Sequence, residues 1–440
     1  VSRANFETDL YRRIRAALDS VRAIDCHEHL QRETELPCGE DIHLGRFFVH
    51  YANCDLVSAG MPIADMGRVL SDSSLSTGER WGLLKPWWER SWNTGYCEAL
   101  RIALRGIYGI DDLTDATVEP LTEAMRARIR PGFTREVFDL AGVDIALTNP
   151  FGPKLVFNPD FDPDCFICDM VDCFSVFPIQ DLSRESGRSV HGLGDYLDVI
   201  DRYFERHASS ASAFKVSRAY DRTLLFEDVP RSAVERTFSR LLAFNDRPDR
   251  REIQALEDFV LHYLCRKCGE YGLRMKFHTG LQEGNGNLIT NSRAALMANL
   301  FMKYPETGFD IYHISYPYQE ELATLAKNFP NVTVDFCWMW VIAPCVARRA
   351  LSDMLDTVPA AKIHGFGGDY IFVEGTYGHA EMARRGIARV LCEKIEEGRF
   401  TEDYAVQVGT WLLRGNALRN FDLERRLPAF RVVADAARGS

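Results

Sequence analysis

Eight short apolar segments, most of them separated by helix-forming sequence, constrain this chain more than any other feature. The first is Ala23-Ile24-Asp25-Cys26-His27-Glu28-His29-Leu30. It follows a stretch from Ala4 to Ser20 in which Phe6, Leu10, Tyr11, Ile14, Ala17 and Leu18 recur at helical spacing. From residue 143 the pattern becomes regular, with strand candidates at Val143–Thr148, Cys173–Pro178, Ala213–Tyr220, Leu273–Gly280, Phe309–Ser315, Val332–Trp338 and Ile363–Asp369. Strands that alternate with helices build a parallel sheet, and eight of them give the order of a (β/α)8 barrel. The expected fold is α/β, a TIM barrel in a single domain over 1–440. A mostly helical insertion rich in Trp, Tyr and Arg is expected at 31–130, and C-terminal helices at 376–430.

In such a barrel the C-terminal strand ends converge on one mouth, where the chemistry is done. Five of the expected strands bring a polar residue there: His27 and His29 on the first, Lys215 on the fourth, His278 on the fifth, His313 on the sixth and Asp369 on the eighth. Alternation puts Asp25, His27 and His29 on one face of the first strand, with Ile24, Cys26 and Glu28 on the other. In the fifth strand, Leu273, Met275 and Phe277 face the helices, which turns His278 inward. Two imidazoles side by side can hold a divalent metal that draws further ligands from elsewhere. Taken singly these residues have plainer readings, a hydrogen-bonded core histidine or, for Asp369 after two glycines, a turn or helix cap. As a set they read as a metal site.

Composition excludes other partners. With 52 basic against 63 acidic residues the formal charge is −11, and no basic stripe offers itself to nucleic acid or to an anionic membrane. The N-terminal stretch has no apolar signal core and no run of 18 apolar residues occurs, so a cytoplasmic protein is expected. The 12 cysteines fit that compartment as reduced, mostly buried thiols. Two Cys-x-x-Cys pairs, Cys165/Cys168 and Cys265/Cys268, lie too far apart in sequence for a compact zinc module, and the second falls in helix-like sequence. The expected partner is a small molecule. The aromatic insertion also offers a subunit interface, so a homo-oligomer is expected.

On these residues the chain resembles the amidohydrolase superfamily, whose barrels carry His-x-His on the first strand, His on the fifth and often the sixth, and Asp on the eighth. Within it the look is nearest to the uronate isomerases: the aromatic insertion, Trp338-Met339-Trp340 after the seventh strand, Gly378-His379-Ala380-Glu381-Met382-Ala383-Arg384-Arg385, and Asn416-Ala417-Leu418-Arg419-Asn420-Phe421. Those isomerases follow the eighth-strand Asp with Ser-Arg, the Arg serving the sugar acid. Here Tyr370-Ile371 stands instead.

The resemblance implies a divalent metal, zinc first, held by His27, His29, His278 and Asp369. It implies a second metal if Lys215 is carboxylated and bridges; otherwise Lys215 neutralises Asp369 or binds a substrate carboxylate. The implied reaction is hydrolysis of an amide, lactone or ester in a small polar, anionic substrate. A metal lowers the pKa of water toward neutrality, and Asp369 or His313 takes the proton and passes it to the leaving group. Arg218 is the candidate for orienting the anion, with a surface salt bridge as its plainer role. Trp338 and Tyr316 are candidate pocket walls, with core packing equally open. Gly284-Asn285-Gly286-Asn287 reads as a polar mouth loop. The alternatives on the same scaffold are a uronate isomerase-like aldose-ketose isomerase and a metal-dependent decarboxylase.

Overall fold

The computed structural model describes residues 8–149, 162–243 and 248–438, with side chains as far as 433. Nine strands are all paired in parallel: β1 Ala23–Glu28, β2 Val143–Thr148, β3 Phe166–Cys168, β4 Met170–Val171, β5 Phe214–Val216, β6 Met275–Phe277, β7 Phe309–Ile311, β8 Val332–Asp335 and β9 Ile363–His364. They run as β1-β2-β3 and as β4 through β9. β3 and β4 are one barrel strand interrupted at Asp169, whose N–H still donates to Thr148 O at 2.9 Å. Beyond β9 the chain returns to β1, with Cys26 N donating to Phe366 O (3.2 Å), Asp369 N to His27 O (2.8 Å) and His29 N to Tyr370 O (2.9 Å). Eight strand positions therefore follow one another in a (β/α)8 barrel, with helices between most of them among the described residues.

The short strands explain how this barrel is filled. Phe214-Lys215-Val216, Met275-Lys276-Phe277 and Phe309-Asp310-Ile311 each alternate apolar, charged, apolar, and their registers align Lys215 with Lys276 and Lys276 with Asp310. The apolar residues turn out to the helices and the charged ones turn in. Inside, Lys276 Nζ bonds both oxygens of Asp169 (2.9 and 3.0 Å) and Cys26 O (2.9 Å). One layer further on, His364 Nδ1 donates to Asp310 Oδ1 at 2.9 Å, and Thr333 Oγ1 donates to the same oxygen at 2.6 Å. Buried ions of this kind persist only when paired and hydrogen-bonded.

Three sequence expectations are corrected here. The third strand lies at 166–171 rather than 173–178. Asp172 accepts from the N–H groups of Phe174 (3.1 Å) and Ser175 (3.0 Å) and closes 174–176 into a 3-10 turn, an example of a local side-chain bond outcompeting a strand. On β1, Asp25 and Glu28 were expected on opposite faces. A register shift between them brings both carboxyls to Gly368, where an added Cβ would overlap Glu28 Oε1 and lie 3.0 Å from Asp25 Oδ2. The first helix is Asp9–Asp19, capped by Thr8 Oγ1 accepting from Tyr11 N; residues 4–7 of its expected range lie outside the described ones.

Between β1 and β2 the chain forms helices at Ala52–Ser58, Ile63–Ser71, Thr77–Ser91, Gly95–Ala103 and Val118–Arg128, with a further helix at Phe133–Ala141 leading into β2. Trp81, Trp88 and Trp92 of this region are tied down by their indole N–H groups. Trp88 and Trp92 donate to Asp112 at 3.1 and 2.7 Å, and Trp81 donates to Asp115 at 2.8 Å. The long helix Val373–Glu396 starts just after Asp369 and packs on Gly95–Ala103, where Gly378 leaves no room for a Cβ beside Ala99 O. Among the described residues no helix is long and apolar enough to cross a membrane.

Candidate metal centre

The strand ends at the mouth bring four imidazoles and a carboxylate together, and backbone carbonyls fix how they face. His29 donates from Nδ1 to Asn149 O (2.5 Å), His313 from Nδ1 to Cys337 O (2.9 Å), and His278 from Nε2 to Leu281 O (3.1 Å). Each of these rings therefore turns an unprotonated nitrogen inward. His29 Nε2 stands 3.2 Å from His27 Nε2, and both stand 3.3 Å from Asp369 Oδ1. His278 Nδ1 meets His313 Nε2 at 3.2 Å, and Asp369 Oδ2 lies 3.7 Å from that same His313 nitrogen.

Electrostatics keep this set ready for a cation. Burial, joined by the Lys215 charge, holds His27 well below its ordinary value; burial and His313 do the same for His278, and burial brings His313 to about 4. Burial works against the Asp369 charge, but His29 and the other imidazoles around it, once protonated, overcome it and hold the carboxyl well below its usual range. Neutral imidazoles and an ionised carboxylate are the protonation states that metal binding requires. Lone pairs facing one another across 3.2 Å repel, and a divalent cation relieves that repulsion. A donor set of imidazole and carboxylate suits zinc and its first-row neighbours.

Backbone strain gathers at the same place. His313 (φ 58°), Trp338 (φ 64°) and Asp369 (φ 61°) all hold left-handed backbone at consecutive strand ends. Such positions cost about 1–3 kcal/mol each in a non-glycine residue and recur at functional sites. Two glycines before Asp369 make the approach possible: a Cβ on Gly367 would lie 2.8 Å from Cys337 Cβ, and one on Gly368 would overlap the Glu28 carboxylate.

The expected ligands His27, His29 and Asp369 form one cluster, while His278 stands against His313 on the other side of the Asp369 carboxylate. Lys215 is 1% exposed, with Nζ 3.2 Å from His27 Nε2 and 4.1 Å from the centre of the Tyr312 ring. Trp338 lies edge-on to His313 at 5.1 Å, so it walls the centre. Tyr316, half-buried, braces the mouth through its carbonyl, which accepts from Leu281 N at 2.7 Å. Arg218 makes the salt bridge that was its plainer reading, but in the interior rather than at the surface: it is buried and paired with Glu257 (3.1 Å) and Asp221 (3.1 Å). Neither Cys-x-x-Cys pair falls in a metal-sized cluster among the described residues. A further close trio, Cys26, Asp335 and His364, is closed by internal contacts, since His364 Nδ1 donates to Asp310 and its Nε2 meets the Asn420 side-chain amide at 2.9 Å.

Sequence reading missed the residues that enclose the centre. Tyr51 from the insertion donates to Asp369 O and stacks on Trp338 at 4.5 Å, and Tyr96 continues the stack at 5.2 Å from Tyr51. Tyr312 underlies Lys215, and Cys337 lies within reach of His313 and Asp369. Tyr312 precedes His313 at a strand end and was recoverable from position; Tyr51 and Tyr96 carry no local signal.

The amidohydrolase family profile matches residues 231–423, the half of the barrel that supplies His278, His313 and Asp369. Over that stretch the chain is amidohydrolase-like. Solved structures similar to this chain include a glucuronate isomerase from Caulobacter crescentus (TM-score 0.78, 17% identity, 97% of this chain and 98% of that one). A uronate isomerase from Thermotoga maritima follows (0.77, 14%, 94% and 98%). A Lactobacillus casei protein described as a candidate metal-dependent hydrolase is also similar (0.64, 16%, 94% and 98%). At these identities the likeness is one of fold. Protein fluG of Emericella nidulans is 29% identical over 159 residues, which span 35% of this chain but only 18% of fluG.

Proposed function

We propose that this chain is a metal-dependent hydrolase that cleaves an amide, lactone or ester bond in a small polar substrate. The observation that carries this reading is the division of labour in Asp369, with Oδ1 on His27 and His29 at 3.3 Å and Oδ2 turned toward His313 at 3.7 Å. His27, His29 and Asp369, with His278 and His313 beside them, would hold zinc or a similar cation, which would supply Lewis acidity and bring the pKa of a water near neutrality. Asp369 Oδ2 takes the proton of the attacking water and returns it to the leaving group. His313, fixed by Cys337 O, would turn its unprotonated Nε2 to a cation beside that carboxylate. Trp338 and Tyr51 exclude bulk water from the exchange. Burial pulls the Lys215 ammonium down, which favours the free amine that carboxylation consumes.

A second reading, aldose-ketose isomerisation, is favoured by the uronate isomerase fold over 97% of the chain. Incubating the metal-loaded protein with panels of amides, lactones, esters and uronates in 18O-water separates the two by mass. Hydrolysis adds water and places 18O in the product. Isomerisation leaves the substrate mass unchanged and overturns the hydrolase reading.

A further inference from the structure

A second cluster at the mouth contains a thiol. A ring nitrogen of His313, the Sγ of Cys337 and a carboxylate oxygen of Asp369 all lie within 4.8 Å of one another, and all three residues are buried. His278 Nδ1, 3.2 Å from His313 Nε2, stands beside them. Cys337 belongs to no ligand set expected from the sequence. It falls two residues past the end of β8, the seventh barrel strand, which brought no candidate ligand of its own.

The turn that carries Cys337 is held on both sides. Its N–H donates to Asp335 Oδ1 at 2.7 Å, and its carbonyl accepts from His313 Nδ1 at 2.9 Å, so one residue anchors the imidazole and brings sulfur next to it. Trp338 N then donates to Gly367 O at 2.9 Å, and the left-handed backbone of Trp338 (φ 64°) turns the chain away. On the neighbouring strand, a Cβ on Gly367 would lie 2.8 Å from Cys337 Cβ and 3.0 Å from its Sγ. The glycine that lets the chain approach Asp369 therefore also leaves the room the thiol occupies. A buried cysteine usually packs as a small hydrophobe. At ligand spacing from an imidazole and a carboxylate, it is instead the soft donor of a mixed sulfur, nitrogen and oxygen set.

We propose that Cys337 is a ligand of the metal centre, so that a cation on the His313 side of Asp369 is held by thiolate, imidazole and carboxylate together and is thiophilic, of the zinc class rather than magnesium or manganese. As the sulfur–cation bond forms, the thiol releases its proton to solvent. Thiolate donors select zinc, whereas carboxylate and water suit magnesium and manganese. The inference rests on the metal-centre reading above and names the donor that sets its cation.

Cobalt substitution of the full chain, without substrate, tests it. Cobalt(II) on nitrogen and oxygen donors absorbs in the visible, and a cobalt–thiolate bond adds an intense charge-transfer band in the near ultraviolet. The cobalt-loaded wild type is expected to show both, and Cys337→Ser is expected to keep the visible bands and lose the near-ultraviolet one. Competition between zinc and manganese is expected to show the preference for zinc falling about tenfold in the same variant. X-ray absorption of the zinc-loaded wild type is expected to find sulfur at about 2.3 Å beside nitrogen and oxygen at about 2.0–2.1 Å, and stands as the test if the variant fails to fold. Bound zinc without a sulfur neighbour, or a near-ultraviolet band undiminished in Cys337→Ser, overturns the thiolate and leaves the metal centre standing. Failure of the wild type to bind cobalt or zinc removes the metal centre and the thiolate with it.

Discussion

His278 Nδ1 and His313 Nε2 face each other across 3.2 Å while the other nitrogen of each ring is committed to a backbone carbonyl. Neither ring has a proton to offer the other, so the pair is incomplete without a cation. His27 and His29 stand 3.2 Å apart on the other side of Asp369, with Lys215 Nζ 3.2 Å from His27, so a second, bridged ion is the arrangement to test. Metal content per chain is expected near two equivalents in the wild type and one or none in Lys215→Ala. About one equivalent in both proteins would leave Lys215 as a charge partner of Asp369.

Asp369→Asn keeps the shape of the carboxylate but removes its ability to take a proton. Once a substrate is in hand, kcat is expected to fall about 100- to 10,000-fold, the usual contribution of a general base. KM is expected to change far less. A fall in KM affinity with kcat preserved would reassign Asp369 from proton transfer to binding.

Inside the barrel, burial disfavours the His364 charge, but Asp310 and Asp335 overcome it and raise the imidazole to about 9. A histidine raised on folding contributes its full stabilisation below its unfolded value, about 6.5, and loses it as pH rises through the folded value. Unfolding free energy by urea is therefore expected to decline between pH 6.5 and 9, with that slope removed in Asp310→Asn. An unchanged slope in the variant would show that another group sets it.

Gly368→Ala is expected to lower stability by about 1–3 kcal/mol, because its Cβ would overlap the Glu28 carboxylate in a packed interior. Gly67→Ala, on an exposed helical position with open space around it, is expected to raise stability by about 0.5–1 kcal/mol. Denaturant midpoints of the two variants, measured side by side, check the contrast.

The barrel and the mouth were legible because each rests on a local signal. Short apolar segments mark strands, and His27, His29, His278, His313 and Asp369 sit where strands end. The third strand was misplaced because Asp169, a charge in an apolar run, reads as an interruption until Lys276 from a strand a hundred residues on is seen to neutralise it. Arg218 looked available for the same reason in reverse, since its partner Glu257 belongs to a distant helix. The enclosing residues Tyr51 and Tyr96 were hidden because nothing in an aromatic-rich insertion tells which ring faces the barrel.

The hydrogen bond from the Tyr51 hydroxyl to the Asp369 carbonyl joins the insertion to the backbone of a ligand residue. An insertion that merely sat on the barrel could be exchanged between relatives as a cassette, bringing a new specificity to an unchanged reaction centre. This one cannot be replaced without releasing the strained turn at Asp369, so selection for a new substrate must act on the cover and the chemistry together.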